Sequence, residues 1–136
     1  MEDQSKHFVG NVAQKAVIEK DGTVLVCRGV GDTVWEFPGG RLHADESPEE
    51  GLKREIKEEL GLVIKVDSPI CVTRSFHQQA KAWQVLIGYR CDIVDSSAEK
   101  LDTTELDEIR WISKEELKAL PMFDDCREVA DVYLTV

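Results

Sequence analysis

The chain has 136 residues, 42% of them apolar and 32% charged, with a net charge of −10. That balance suits a single globular domain spanning 1–136 with enough apolar residues for a sizeable core. No run approaches the ~20 apolar residues of a bilayer span, and the acidic balance argues against broad contact with a nucleic-acid backbone.

The N-terminus, Met1-Glu-Asp-Gln-Ser-Lys-His7, is polar and acidic. It has no basic start and no apolar run, so it does not read as a secretory signal. Residues 9–19 and 23–28 read as strands joined by an Asp21-Gly22 hairpin turn. A loop then runs to Gly40, with short extended pieces around 34–37. A helix follows over 48–60. Ser47-Pro48-Glu49-Glu50 is a capping box with proline at the first helical position. Leu52, Ile56 and Leu60 form its buried stripe, and Gly61 stands where a left-handed C-terminal cap is expected.

Residues 63–76 and 83–94 read as two long strands joined by the polar turn His77-Gln78-Gln79-Ala80-Lys81. Residues 95–107 form a polar, acidic loop, and 108–112 a short strand. Ser113-Lys-Glu-Glu116 is a second capping box, starting a helix that ends before Pro121. A final helix covers 124–134. The order implies an α/β fold.

Cys27, Cys71, Cys91 and Cys126 are widely separated, with no Cys-x-x-Cys pair. The first three lie in strand-like apolar runs, where buried reduced thiols are expected. With no signal segment, this points to a reducing cytoplasm. His7, His43 and His77 are scattered without zinc-site spacing, and His43 reads as solvent-exposed.

The 48–60 helix carries the chemistry. At about 100° per residue, Glu58 lies roughly 60° to one side of Glu55 and Glu59 roughly 40° to the other. Like charges at these spacings repel, so either the face is simply solvated or a hard cation held by oxygen ligands offsets the repulsion. The apolar stripe lies beside the Glu59 side of this arc, placing such a cation at the edge of the core.

The stretch from Gly40 to Leu62 resembles the Nudix box, the signature of hydrolases that cleave a nucleoside diphosphate linked to another group. Gly40, Glu46, Arg54, Glu55, Ile56, Glu58, Glu59, Gly61 and Leu62 fill every specified position of that pattern. The preceding Trp35-Glu36-Phe37-Pro38-Gly39-Gly40 resembles the family's entry to the box. Gly51 departs from it, standing where a small helix former such as alanine is usual, and is expected to loosen the first turn slightly. The resemblance implies the Nudix fold, a mixed β-sheet sandwiched between helices.

It also implies the chemistry: water attacks a diphosphate phosphorus with Mg²⁺, or Mn²⁺ as a substitute. Glu58 and Glu59 are then the expected direct ligands. Glu55 either ligates or takes a proton from the attacking water, and the Gly40 carbonyl is a further expected ligand. Arg54 is expected to orient the carboxylates. Glu46 either holds a metal-bound water or shapes the loop. Of two further carboxylates outside the box, Glu105 and Glu108, the Glu-apolar-Arg-Trp stretch favours Glu108.

Substrate markers of the family are missing. Where nucleoside-sugar diphosphatases carry a proline this chain is near His77. Where diadenosine polyphosphate hydrolases carry a tyrosine it has Gln78, Gln79 and Ala80. The default is a MutT-type enzyme converting (d)NTP to (d)NMP and pyrophosphate, as monomer or homodimer, with a small nucleotide as partner and neither nucleic acid nor membrane. A hydrolase of ADP-ribose or a dinucleotide and a non-catalytic nucleotide sensor are the alternatives. The intact glutamate set speaks against the sensor. Asp124 is expected to bond the base edge. Phe37, Phe76 and Phe123 either stack on it or pack in the core.

Overall fold

A computed structural model describes residues 6–136; the reading of residues 1–5 as a non-signal start lies outside them. The elements run β1 (Asn11–Lys20), β2 (Thr23–Gly29), β3 (Gly39–Arg41), α1 (Pro48–Leu60), β4 (Val63–His77), β5 (Ala82–Asp95), β6 (Leu106–Ser113), α2 (Lys114–Ala119) and α3 (Asp124–Tyr133). Strand order in the sheet is β4-β5-β1-β2-β6, with β3 paired to β1. The β1–β5 pair is parallel and the others antiparallel. This is the mixed α/β sheet expected.

Central strands are apolar on both faces, as a sheet covered on both sides requires. Ala16, Val17 and Ile18 on β1, and Val24 to Cys27 on β2, are fully buried. One face packs Val17, Val24, Val26 and Leu86 against Leu117 of α2 and Cys126, Val129 and Tyr133 of α3. The other packs Ala16, Ile18, Leu25 and Cys91 against Leu52, Ile56 and Leu60 of α1.

Local signals act as expected. Asp21 and Gly22 both have positive φ, at 51° and 78°, the signature of a type I′ hairpin turn. Ser47 accepts the Glu50 N–H, and Gly61 closes α1 at φ 66°. Ser113 and Glu116 cap α2 reciprocally. The last strand begins at Leu106, two residues earlier than expected, because its bond pattern with β2 continues past Arg28 through a register shift to Gly29.

The site depends on how β1 is shared. Only its end, Glu19 and Lys20, pairs with β2. Its start pairs with β3, Ala13 to Arg41 and Lys15 to Gly39. Between them the segment from Trp35 to Pro38 inserts: Cys27 and Glu36 exchange backbone hydrogen bonds, and the Ala16 N–H donates to Pro38. The same segment anchors the approach to α3, since Trp35 N–H donates to Pro121 and Phe123 N–H to Trp35.

Candidate active site

A cavity of about 580 Å³ opens where β1 parts from β2. Its lining includes Lys15, Glu36, Gly39, Gly40, Arg41 and Glu59 at one part, and Phe76, Gln84, Phe123 and Asp125 at another.

Helix α1 delivers its carboxylates unequally. Glu59 enters the cavity, where its Oε1 accepts the Gly39 N–H at 3.1 Å. Burial, reinforced by the charge of Glu55, pushes its carboxyl up to about 8 against the nearby Lys15 charge. Glu55 lies against Gly40 so closely that a Cβ there would stand 2.5 Å from its carboxyl carbon. A side chain at position 40 would force that carboxylate to shift. Glu58 turns outward, its side chain 59% exposed.

Arg54 holds this arrangement. Its Nε and Nη2 each donate to Glu46 at 2.8 Å, while Nη1 reaches Glu55 at 3.1 Å and Glu58 at 3.2 Å. Those hydrogen bonds from Arg54 hold the Glu46 carboxyl down at about 2, helped by the His43 N–H. Glu46 therefore shapes the loop by anchoring Arg54. Gly51 has a packing reason too: a Cβ there would fall 2.7 Å from Leu42 and 2.8 Å from Glu46 Oε1. The cost to helix propensity leaves room for the Glu46–Arg54 pair.

Lys15, on β1, was not marked by any motif. Its Nζ donates to Glu36 at 2.9 Å with 12% of the side chain exposed. Burial alone would lower the Lys15 ammonium, but Glu36 outweighs it and the pKa lies well above the ordinary value. The signal available in the sequence was a polar pair, Gln14-Lys15, inside an otherwise apolar strand. Gln84, polar within β5, gave the same kind of signal.

Of the expected site residues, Phe37 takes the core-packing alternative, and Asp124, Glu108 and Glu58 lie outside the cavity lining. Phe37 is fully buried in the core and outside the cavity lining, because the inserted segment packs it under the sheet. Asp124 is exposed at the start of α3, and the helical turn directs Asp125 into the cavity instead. Glu108 pairs with Arg110 at 2.5 Å and Arg28 at 3.5 Å on the sheet, whereas Glu105 lines the cavity. Glu58, expected as a direct ligand, is mostly exposed and outside the cavity lining, sharing Arg54 Nη1 with Glu55. Phe76 and Phe123 line the cavity and stay partly exposed, at 40% and 39%.

The donors suit a hard divalent cation: carboxylate oxygens from one helix beside a glycine strand, with one carboxylate buried where charge needs compensation. Among the described residues, no group of three or more His, Cys, Asp or Glu side chains already converges on one point. The preformed part of the cradle is the pair Glu55 and Glu59.

Comparison with known proteins agrees with this architecture. The NUDIX domain model matches residues 11–132. A "MutT-like protein" of Streptomyces ambofaciens is 31% identical over 101 residues, 74% of this chain and 62% of the relative, so the alignment spans under two thirds of that protein's length. An "RNA pyrophosphohydrolase" of Marinomonas sp. (strain MWYL1) is 30% identical over 120 residues, 71% of each chain. The solution structure of the E. coli ORF135 protein shares the fold, with a TM-score of 0.77 at 23% identity, covering 92% of this chain and 89% of that one. With the family model matched across nearly the whole sheet and all three helices, the chain belongs to the Nudix hydrolase family.

Proposed function

We propose that the chain is a metal-dependent pyrophosphohydrolase that converts a (d)NTP to (d)NMP and pyrophosphate. The observation that carries this reading is Glu59 lining a cavity of nucleotide size at Gly39, with Glu55 set against the neighbouring Gly40. Use of divalent metal ions is general in the family. Glu55 and Glu59, with the Gly40 carbonyl, would hold Mg²⁺ or Mn²⁺, and Glu58 would contribute after leaving Arg54. A bound divalent ion neutralises phosphoryl oxygens and makes water a better nucleophile.

This chain's own residues do the rest. Lys15 and Arg41 line the cavity and offer positive charge to the phosphate chain. Arg54 fixes the orientation of Glu55, which either ligates or accepts the proton of the attacking water. The water oxygen bonds to phosphorus as the bond to the pyrophosphate oxygen breaks. Phe76 and Phe123 flank the space left for the base. The partner is a small nucleotide, handled by a single domain in the cytoplasm. Among the described residues no helix is long and apolar enough to cross a membrane.

A second reading has support in the names of relatives. The Marinomonas protein is named for RNA pyrophosphohydrolase activity, so a 5′-triphosphate on RNA belongs among the substrates tried. The net charge of −10 weighs against it. The deciding experiment incubates the chain and Mg²⁺ with each common (d)NTP, ADP-ribose, a diadenosine polyphosphate and 5′-triphosphate RNA, resolving products by chromatography. Monophosphate plus pyrophosphate from triphosphates is expected. Faster cleavage of any other member of the panel would replace the proposed substrate.

A further inference from the structure

Ser75 on β4 and Gln84 on β5 stand directly opposite each other as a cross-strand pair. Gln84 is 5% exposed and lines the cavity. Its Nε2 donates to Ser75 Oγ at 3.1 Å, and Ser75 Oγ donates to Asp125 Oδ2 at 2.8 Å. The other oxygen of Asp125 accepts the Cys126 N–H at 2.7 Å. Gln84 Oε1 is buried and has no hydrogen-bond donor from the protein.

The direction of this relay follows from the chemistry of its end. An ionised carboxylate only accepts. Ser75 must spend its single hydroxyl proton on Asp125, so toward Gln84 it can only accept. Gln84 must then turn its NH₂ to Ser75. Its carbonyl oxygen is thereby held away from the relay, a buried acceptor on a residue that lines the cavity. A buried acceptor without a partner costs stability, and a donor from outside the chain would relieve that cost.

We propose that Gln84 Oε1 is the atom that selects the nucleobase, accepting a hydrogen bond from an exocyclic amino group. Cytosine and adenine carry such a group on their pairing edge. Uracil and hypoxanthine turn a carbonyl to the same place, where two acceptors would face each other. Phe76 and Phe123, partly exposed at the cavity, supply faces on which any base stacks without discrimination. Selectivity therefore comes from Gln84, and Ser75 and Asp125 are positioning residues that act through it. The inference rests on the cavity being the nucleotide site.

The test is equilibrium binding of CMP against UMP and of AMP against IMP to the full chain, by calorimetry, with CTP and UTP hydrolysis measured in parallel. The amino member of each pair is expected to bind about tenfold more tightly, the usual scale for a desolvated hydrogen bond. Gln84→Met keeps the volume, removes the acceptor and is expected to bring that ratio near one. Ser75→Ala frees the amide to turn and is expected to reduce the ratio even though Gln84 remains. It carries the test if Gln84→Met fails to fold. A wild-type chain without amino preference, a preference unchanged in the variants, or no binding of any of the four overturns the proposal. Amino-selective binding without hydrolysis would uphold it and defeat the hydrolase reading. Triphosphate hydrolysis blind to the amino group would do the reverse.

Discussion

Arg54 and Glu46 are joined by two parallel hydrogen bonds of 2.8 Å, a fork that ties the middle of α1 to the loop before it. The third arm of the guanidinium reaches Glu55 and Glu58. One planar cation thus orients a loop carboxylate and two carboxylates of α1 at once, a task for which a point charge is a poor substitute.

Arg54→Lys keeps the charge and loses the fork. Turnover is expected to fall by about 10- to 100-fold through misplacement of Glu55, with KM changing less than kcat. Steady-state kinetics beside a thermal melt checks this. A wild-type kcat in a folded variant would show that the fork is structural only.

Glu58 and Glu59 should respond differently to neutralisation. Glu59→Gln is expected to cost about 10²- to 10⁴-fold in rate, roughly 3–5 kcal/mol of transition-state stabilisation. Glu58→Gln removes a half-exposed carboxylate and should cost less. EDTA should abolish turnover of the wild type and excess Mg²⁺ restore it. Equal losses in the two variants would contradict the unequal roles.

Stability without metal should depend on pH through Glu59. Its carboxyl is raised from 4.5 to about 8 by burial and by Glu55. As pH rises past 4.5 the unfolded chain gives up this proton while the folded chain keeps it. Stability from this group is therefore full below 4.5, declines between 4.5 and about 8, and is level above. Chelated wild type should melt at lower temperature at pH 8 than at pH 6, and Glu59→Gln should flatten that difference. Melting curves across the range settle it, and a wild type more stable at pH 8 would refute the assignment.

At the start of α3, Asp125→Ala is expected to alter preference among bases by roughly five- to a hundredfold, the scale of one lost buried hydrogen bond. Asp124→Ala, on the exposed side, should leave that preference unchanged. Ratios of kcat/KM for the four common triphosphates give the answer. A larger shift from Asp124→Ala would restore the expectation drawn from sequence.

Much of this was legible before the structure because its signals are local. Proline at the first turn, the Ser47 cap, the Leu52-Ile56-Leu60 stripe and Gly61 define α1 within a single run of residues. The position of β3 was not legible: three residues, two of them glycine, carry no apolar alternation, and their pairing is set by β1 far away in sequence. The same holds for Lys15 and Glu36, partners only because an inserted segment brings β1 and residue 36 together. Asp124 and Asp125 are chemically identical, so the choice between them waits on the helix rotation fixed by Trp35 and Phe123. Glu105 and Glu108 differ by where β6 starts, which the register shift beside Gly29 decides.

The cavity draws its two ends from different parts of the chain. Glu59 and the glycines come from α1 and β3, while Phe76, Gln84, Phe123 and Asp125 come from β4, β5 and the start of α3. Side chains at the second end can change without moving the helix that holds the first. A few substitutions there would redirect the domain to a new nucleotide while its bond-breaking apparatus stayed intact, so this architecture lets specificity drift independently of chemistry.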